Sequence, residues 1–332
     1  MYAKFHAIGA YAPSQILSNS DLEKMVDTTD EWILKRTGIS QRRIAATDEY
    51  TSDMGVKAAA LAIDRAGLNN SDIDLVVCAT VTPDYFNMPS TACVISDKLG
   101  IYNVQAFDIS AACSGFVYAI SVAKAFVESG MKKHVLIIGA EKFSSIVDYT
   151  DRSTCILFGD GAGAAVISAT EDKSEAIIDI HASADGSYAD FLLTPAPGSI
   201  HPVSQQVIDE GLNFVQMKGN ETFKLAVRTL TKDVKDILLK NKIDSKDIPH
   251  FIPHQANYRI IKAVGDALKM TEEQVVLTVG KFGNTSAASI PMAINDIYES
   301  GRLKKGELML LDTFGGGLTW ASALLPFAGE TL

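Results

Sequence analysis

No run in this chain of 332 residues approaches the roughly 18 to 20 apolar positions needed to cross a bilayer, and no basic leader precedes an apolar stretch near Met1. The expectation is a cytoplasmic protein without a membrane partner. Cysteine is scarce. Cys78, Cys93, Cys113 and Cys155 are widely spaced and form no CxxC pair, which argues against both a disulfide framework and a zinc site. Basic charge is in deficit, with 30 Lys and Arg against 40 Asp and Glu, a net charge of −10. That balance argues against nucleic acid as a partner and leaves only a local basic patch to hold an anion. Against these absences stands a hydrophobic fraction of 47%, enough for a large core in two domains or one large α/β unit.

The chain echoes itself. Asp64 to Cys78 and Leu239 to Pro253 both read as helix end, polar turn and buried strand, with Ile73 and Ile248 in register 175 positions apart. Ile95 to Ile101 resembles Val264 to Met270 at a shift of 169, and the apolar run His134 to Gly139 is matched by Glu307 to Asp312. A period near half the chain implies two similar α/β halves packed face to face, 1–171 and 172–332. Loops from matching strand ends then converge, because ligands in such sheets bind beyond the carboxyl ends of the strands.

The segment Phe107 to Phe116 passes from an apolar run through small residues into a helix with almost no polar face, stopped by Gly130. Cys113 lies at its first turn, where unpaired N–H groups and the positive dipole end are expected to pull a thiol below its usual value of about 8.5. Its alternative is a small buried hydrophobe. The second half offers Pro253-His254-Gln255-Ala256-Asn257 after a predicted strand, and Gly283-Asn284-Thr285-Ser286 before a predicted helix. Asn284 stands 171 positions after Cys113, so a histidine and an asparagine fall where the cysteine needs partners. His250 and His254, bracketed by prolines, read as extended and roughly 13 Å apart, too far to share a metal. Gly159 to Gly163 leads into a strand and is read as tight packing, not a dinucleotide fingerprint. The Phe314 to Trp320 glycine turn fits either packing or an N–H donor to an oxyanion.

Taken together, Asp27-Thr28-Thr29-Asp30-Glu31-Trp32-Ile33, Arg36-Thr37-Gly38-Ile39, Ala111-Ala112-Cys113-Ser114-Gly115-Phe116, Phe158 to Ala164, His254 to Asn257, Gly283 to Ser286 and Phe314 to Gly317 closely resemble bacterial β-ketoacyl-[acyl-carrier-protein] synthase III over nearly the full length. The resemblance implies a thiolase-like fold in five αβαβα layers, a homodimer, and an initiating condensing enzyme of type II fatty acid synthesis. It places a Cys-His-Asn catalytic set on Cys113, His254 and Asn284, and oxyanion N–H donors on Cys113 and Gly316. It implies an acyl-CoA primer, usually acetyl-CoA, with coenzyme A contacts at Thr28, Trp32, Arg36, Arg152, Gly219, Phe223 and Asn257. Trp32 and Arg152 are expected to sandwich the adenine. No metal and no cofactor is implied, only the coenzyme A thioester as substrate.

The second substrate is malonyl-acyl carrier protein, an acidic partner, with docking expected at Lys224, Arg259 and Lys262. A solvated helix face fits Arg259 and Lys262 equally. Many family members carry Phe where Met88 stands, at a position reaching the partner subunit's acyl pocket, so the primer is left open. A Cys-His-Asn enzyme of secondary metabolism using a longer or aromatic acyl-CoA fits the same residues, as does an idle acyl-carrier scaffold needing the cysteine only for packing.

Overall fold

The computed structural model describes residues 1–331 and contains two principal sheets. The first comprises β1 (Tyr2–Tyr11), β2 (Leu75–Ala79), β3 (Gln105–Ile109), β4 (His134–Glu141) and β5 (Gly161–Thr170), in the order β1-β5-β4-β2-β3. The second comprises β6 (Asp179–Ala184), β7 (His250–Pro253), β8 (Leu308–Gly315) and β9 (Thr319–Pro326), in the order β7-β8-β9-β6. Strand directions repeat. β2 is parallel to β4 and β5 antiparallel to both its neighbours, as β7 is parallel to β8 and β9 antiparallel to both of its own. The counterpart of β3 has shrunk to one parallel bridge, Phe251 with Val275, closed by Phe251 N–H to Gln274 O at 2.8 Å and Val276 N–H to Phe251 O at 2.9 Å.

Seven helices matter for the site: α1 (Asp30–Thr37), α2 (Thr51–Arg65), α3 (Thr91–Leu99), α4 (Gly115–Glu128), α5 (Gly219–Asn241), α6 (Tyr258–Ala267) and α7 (Ser289–Glu299). Their apolar surfaces dictate the layers. Met54, Ala58 and Ile63 of α2 and Ile95 of α3 pack on Val76, Leu136 and Ile138 at the outer face of the first sheet. Leu230, Val234 and Ile237 of α5 and Val264 of α6 cover Phe251, Leu310 and Leu324 outside the second. Between the sheets lie α4 and α7, where Phe116, Ile120, Ile290 and Ile294 meet Val77, Ile137, Leu311 and Ala323. A helix with so little polar face needs cover on more than one side, and each fully buried side chain such as Phe116 contributes about 1.5–3 kcal/mol. The stack is therefore αβαβα.

One detail of the internal register differs from the sequence reading. His134 and Leu308 begin equivalent strands, Gly115 and Ser289 equivalent helices, and Ala112 and Ser286 equivalent left-handed residues with φ of 45° and 49°, each pair 174 positions apart. The residue equivalent to Cys113 is thus Ala287, and Asn284 lies three residues before it. Gapless matching of similar sequences misses this, because the equivalence is carried by backbone shape. The two bent turns meet at the centre, where a Cβ on Gly115 would lie 3.5 Å from Ala287 Cβ, and the second turn presses on β4 so closely that a Cβ on Gly139 would sit 2.4 Å from Ala287 O. Positive φ at a non-glycine residue costs on the order of 1–3 kcal/mol and persists only where its surroundings enforce it.

Glycines confirm the packing expected of the 159–163 segment. A Cβ at Gly159 would lie 2.5 Å from Phe282 O and one at Gly163 2.5 Å from Pro291 Cβ. The loop near residue 200 is irregular between Leu193 and Gln205, as its prolines suggest.

Candidate active site

Cys113 sits in the single turn Ala112–Ser114 that feeds α4, and is 5% exposed. The second half clamps this turn. Thr313 Oγ1 donates to Cys113 O at 2.8 Å and Thr319 Oγ1 donates to Ala111 O at 2.9 Å. Gly315 lies so close that a Cβ would be 2.7 Å from Cys113 N, so the glycine turn after β8 is both tight packing and the wall beside the cysteine amide. Gly316 passes against Leu192 O and the Ala112 side chain.

His254 follows β7, its N–H donating to Asp312 O at 2.7 Å. Its Nδ1 is hydrogen-bonded to Ser289 Oγ at 2.6 Å. Gln255 holds the loop with all four capacities of its amide: Nε2 donates to Pro253 O and Val276 O at 2.7 and 3.0 Å, and Oε1 accepts from Thr278 and Val279 N–H at 2.7 and 3.0 Å. Asn284 is held through its backbone by Leu157 O at 2.8 Å and Gly159 N–H at 3.0 Å, and its Oδ1 accepts from Ser286 N–H at 2.9 Å. Arg42, fully buried, donates to Ile156 O at 2.8 Å and so fixes the strand-like segment on which Asn284 lies.

Cys113, His254 and Asn284 line one cavity of about 110 Å³, walled by Phe223, Leu230 and Phe314. A second cavity of about 310 Å³ meets Cys113 from the other side, among Val81, Phe143, Ile146 and Val215. The thiol thus separates two largely apolar spaces.

Burial governs the titration of both reactive groups. It pushes the Cys113 thiol up to about 12 and the His254 imidazole down to about 3. For the cysteine this reverses the direction expected from its helix start. A dipole is worth about 0.3–1 kcal/mol, under one pKa unit at 1.36 kcal/mol each, and desolvation of the buried Cys113 outweighs it. The resting pair is neutral thiol and neutral imidazole.

Of the expected coenzyme A contacts, Gly219, Phe223 and Asn257 line the first cavity. The amide of Asn257 is engaged in the protein, capping α6 through Arg259 N–H at 2.9 Å and donating to Arg36 O at 3.1 Å. Trp32 carries two guanidiniums, Arg36 at 4.5 Å and Arg152 at 4.8 Å from the ring centroid. Arg152 is held there by Asp27 O at 2.7 Å, and a ring placed between it and Trp32 needs about twice the ordinary stacking separation, so the expected sandwich requires Arg152 to swing away. Thr28 Oγ1 is buried without a partner. Met88 is 79% exposed and lines neither cavity of the single chain.

Lys224 and Arg259 are exposed beside the first cavity, Arg259 stacked 5.1 Å over Phe223. Lys262 is ion-paired with Asp266 at 3.0 Å, which reduces its share of any positive patch. Sequence reasoning missed Thr313, Thr319 and Glu141. The last ends β4, fully buried, and accepts from Thr82 Oγ1 at 2.6 Å and Val81 and Thr82 N–H at 3.1 Å, with burial raising it to about 7. Its sequence signal was an acid closing an otherwise apolar strand.

Such a fold and chamber define a thiolase-like enzyme of the condensing class. Residues 107–186 match the family described as 3-oxoacyl-[acyl-carrier-protein] synthase III, and residues 238–327 match its C-terminal part. The chain is 84% identical over 332 residues to β-ketoacyl-[acyl-carrier-protein] synthase III of Sulfurovum sp., covering 100% of this chain and 98% of that one. Among solved structures, the synthase III of Aquifex aeolicus shares 45% identity with a TM-score of 0.89, covering 98% of this chain and 99% of that one. That of Pseudomonas aeruginosa shares 38% with a TM-score of 0.91 and full coverage of both. The chain belongs to the β-ketoacyl-[acyl-carrier-protein] synthase III family. It is an acyltransferase, an initiating condensing enzyme of fatty acid synthesis.

Proposed function

We propose that the chain joins a short acyl-CoA primer, acetyl-CoA in the simplest case, to malonyl-acyl carrier protein, giving acetoacetyl-acyl carrier protein, coenzyme A and CO₂. The observation carrying this reading is that a cysteine from residues 1–171 and a histidine and an asparagine from residues 172–332 line one cavity. Cys113 sulfur attacks the primer thioester carbonyl, its proton leaving as the C–S bond forms, since the resting thiol is neutral. Coenzyme A departs as thiol, and the acyl chain occupies the second cavity. N–H groups of Cys113 and Gly316 hold the tetrahedral oxyanion.

The malonyl thioester then loses CO₂, and the electrons of that C–C bond form an enolate whose oxygen accepts from His254 and Asn284. Neutral donors suit this task because they bind a developing negative charge without forming a persistent ion pair. The enolate carbon attacks the acyl-Cys113 carbonyl, the Cys113 C–S bond breaks, and the expelled thiolate takes up a proton from solvent to restore the resting thiol.

The coenzyme A moiety is read as passing Thr28, Trp32, Arg36 and Arg152 at the rim and Gly219, Phe223 and Asn257 within, with no further cofactor. Acyl carrier protein docks at Lys224 and Arg259, with Lys262 contributing less. The chain works in the cytoplasm as a homodimer: Tyr85, Phe86 and Met88 form an exposed apolar segment that a second copy would cover. In that dimer Met88 gates the partner's acyl cavity.

The test is to incubate the protein with acetyl-CoA, locate acetyl groups by peptide mass spectrometry, then add malonyl-acyl carrier protein. An adduct on Cys113 that is converted to acetoacetyl product supports the reading; no adduct there removes it. Arg259→Glu is expected to impair the second step and spare the first.

A further inference from the structure

Ser289 opens α7, is 2% exposed, and meets His254 Nδ1 at 2.6 Å. The same oxygen accepts from Gln255 N–H at 3.3 Å. A hydroxyl has one hydrogen to give. With that backbone N–H already donating to it, and no other acceptor bonded to it among the described residues, the hydrogen points at Nδ1. A neutral imidazole accepting at Nδ1 carries its proton on Nε2, which has no protein partner among the described residues. The opposite tautomer would turn a lone pair to the chamber, where it would repel an enolate oxygen.

The duplication supplies an independent observation. The position equivalent to Ser289 in the first half is Gly115, 174 residues earlier, where a Cβ would lie 2.8 Å from Ala79 Cβ. This helix start therefore forms without a hydroxyl. Nor does Ser289 cap its own helix, whose N-cap is Ala288 and which has no side-chain cap bond. The hydroxyl is present only in the half that carries the histidine.

We propose that Ser289 is a positioning residue that holds His254 in the Nε2–H tautomer for the condensation step. The proposal rests on His254 being an oxyanion donor, and its test separates the two. Full-length enzyme labelled with ¹⁵N-histidine reports ring tautomers by ¹⁵N–¹H correlation, with the His254 signals assigned by their absence in His254→Asn. Wild type is expected in the Nε2–H form. Ser289→Ala, and Ser289→Cys as a similar-sized poor donor should Ala misfold, are expected to show mixed tautomers. They should lose at least about tenfold in condensation kcat, while acetyl transfer to Cys113 and KM for the malonyl substrate stay within about threefold. Ser289→Thr restores the Nε2–H signal and the rate. Retention of the pure Nε2–H form in both variants overturns the proposal, even if condensation falls, because the role would then be structural. That result leaves the donor reading intact. Undiminished condensation in His254→Ala, which leaves no donor at that position, removes the donor reading and the proposal's purpose with it, whatever the tautomer.

Discussion

Asn284 offers the sharpest perturbation, because its two side-chain atoms do different things. Oδ1 accepts from Ser286 N–H at 2.9 Å inside the protein, whereas Nδ2 has no protein partner among the described residues and is the atom left to donate to substrate. Asn284→Ala removes both. Leaving Ser286 N–H buried and unpaired costs about 1–3 kcal/mol of stability. Losing one oxyanion donor costs about 2.7–4 kcal/mol in the transition state, or 10²–10³ in condensation rate. Asn284→Asp keeps the acceptor, so the turn at Ser286 survives, but places an anionic oxygen where Nδ2 donated. It should condense no faster than the alanine variant while melting closer to wild type. The assay measures two single-turnover rates on each variant: acetyl transfer to Cys113, expected within about threefold of wild type, and consumption of acetyl-Cys113 by malonyl-acyl carrier protein. The reasoning is refuted if Asn284→Asp condenses within tenfold of wild type, or if both steps fall in proportion.

Other expectations follow from the titrating groups. With its thiol pushed up to about 12, Cys113 should be alkylated by iodoacetamide about tenfold faster per pH unit, without a plateau up to pH 9, as followed on its own peptide by mass spectrometry; a midpoint below pH 8 would show that the helix dipole prevails. His254 is depressed to about 3, so below pH 6.5 the unfolded chain binds a proton that the folded one refuses. Stability therefore falls as pH drops from 6.5 toward 3, by about 1.4 kcal/mol per unit for this one group. In urea titrations His254→Gln should flatten that slope, and an unchanged slope would contradict the burial argument. Asp312 is buried with neither carboxyl oxygen hydrogen-bonded, and burial raises it well above the usual carboxylate range. Its unfolded form ionises above about pH 4 while its folded form stays protonated, so stability is lost as pH rises. Asp312→Asn is expected to stabilise by about 1–3 kcal/mol at pH 8 and hardly at all at pH 4, and equal effects at both values would count against it.

Much was determined by the chain of residues alone. A stretch from Phe116 to Val127 with almost no polar face, interrupted only at Tyr118, Ser121 and Lys124, had to be a core helix, and Leu75 to Ala79, apolar throughout, had to be a strand covered on both faces. The polar clusters His254 to Asn257 and Gly283 to Ser286 stood out because they interrupt such segments. Hydrophobic periodicity and turn chemistry are local, and a sequence reports local physics directly.

Three things required the tertiary structure. The register between halves shifted from 171 to 174 at the site because equivalence follows the left-handed turns at Ala112 and Ser286, which sequence similarity does not record. The protonation states of Cys113 and His254 reversed or sharpened expectation because desolvation depends on how completely the surrounding residues exclude water. Last, the partners that aim the reactive groups, Ser289 for the imidazole and Thr313 for the cysteine turn, lie 35 and 200 positions away from what they hold. Contacts between such distant residues are set by how the layers stack, and no local pattern encodes them.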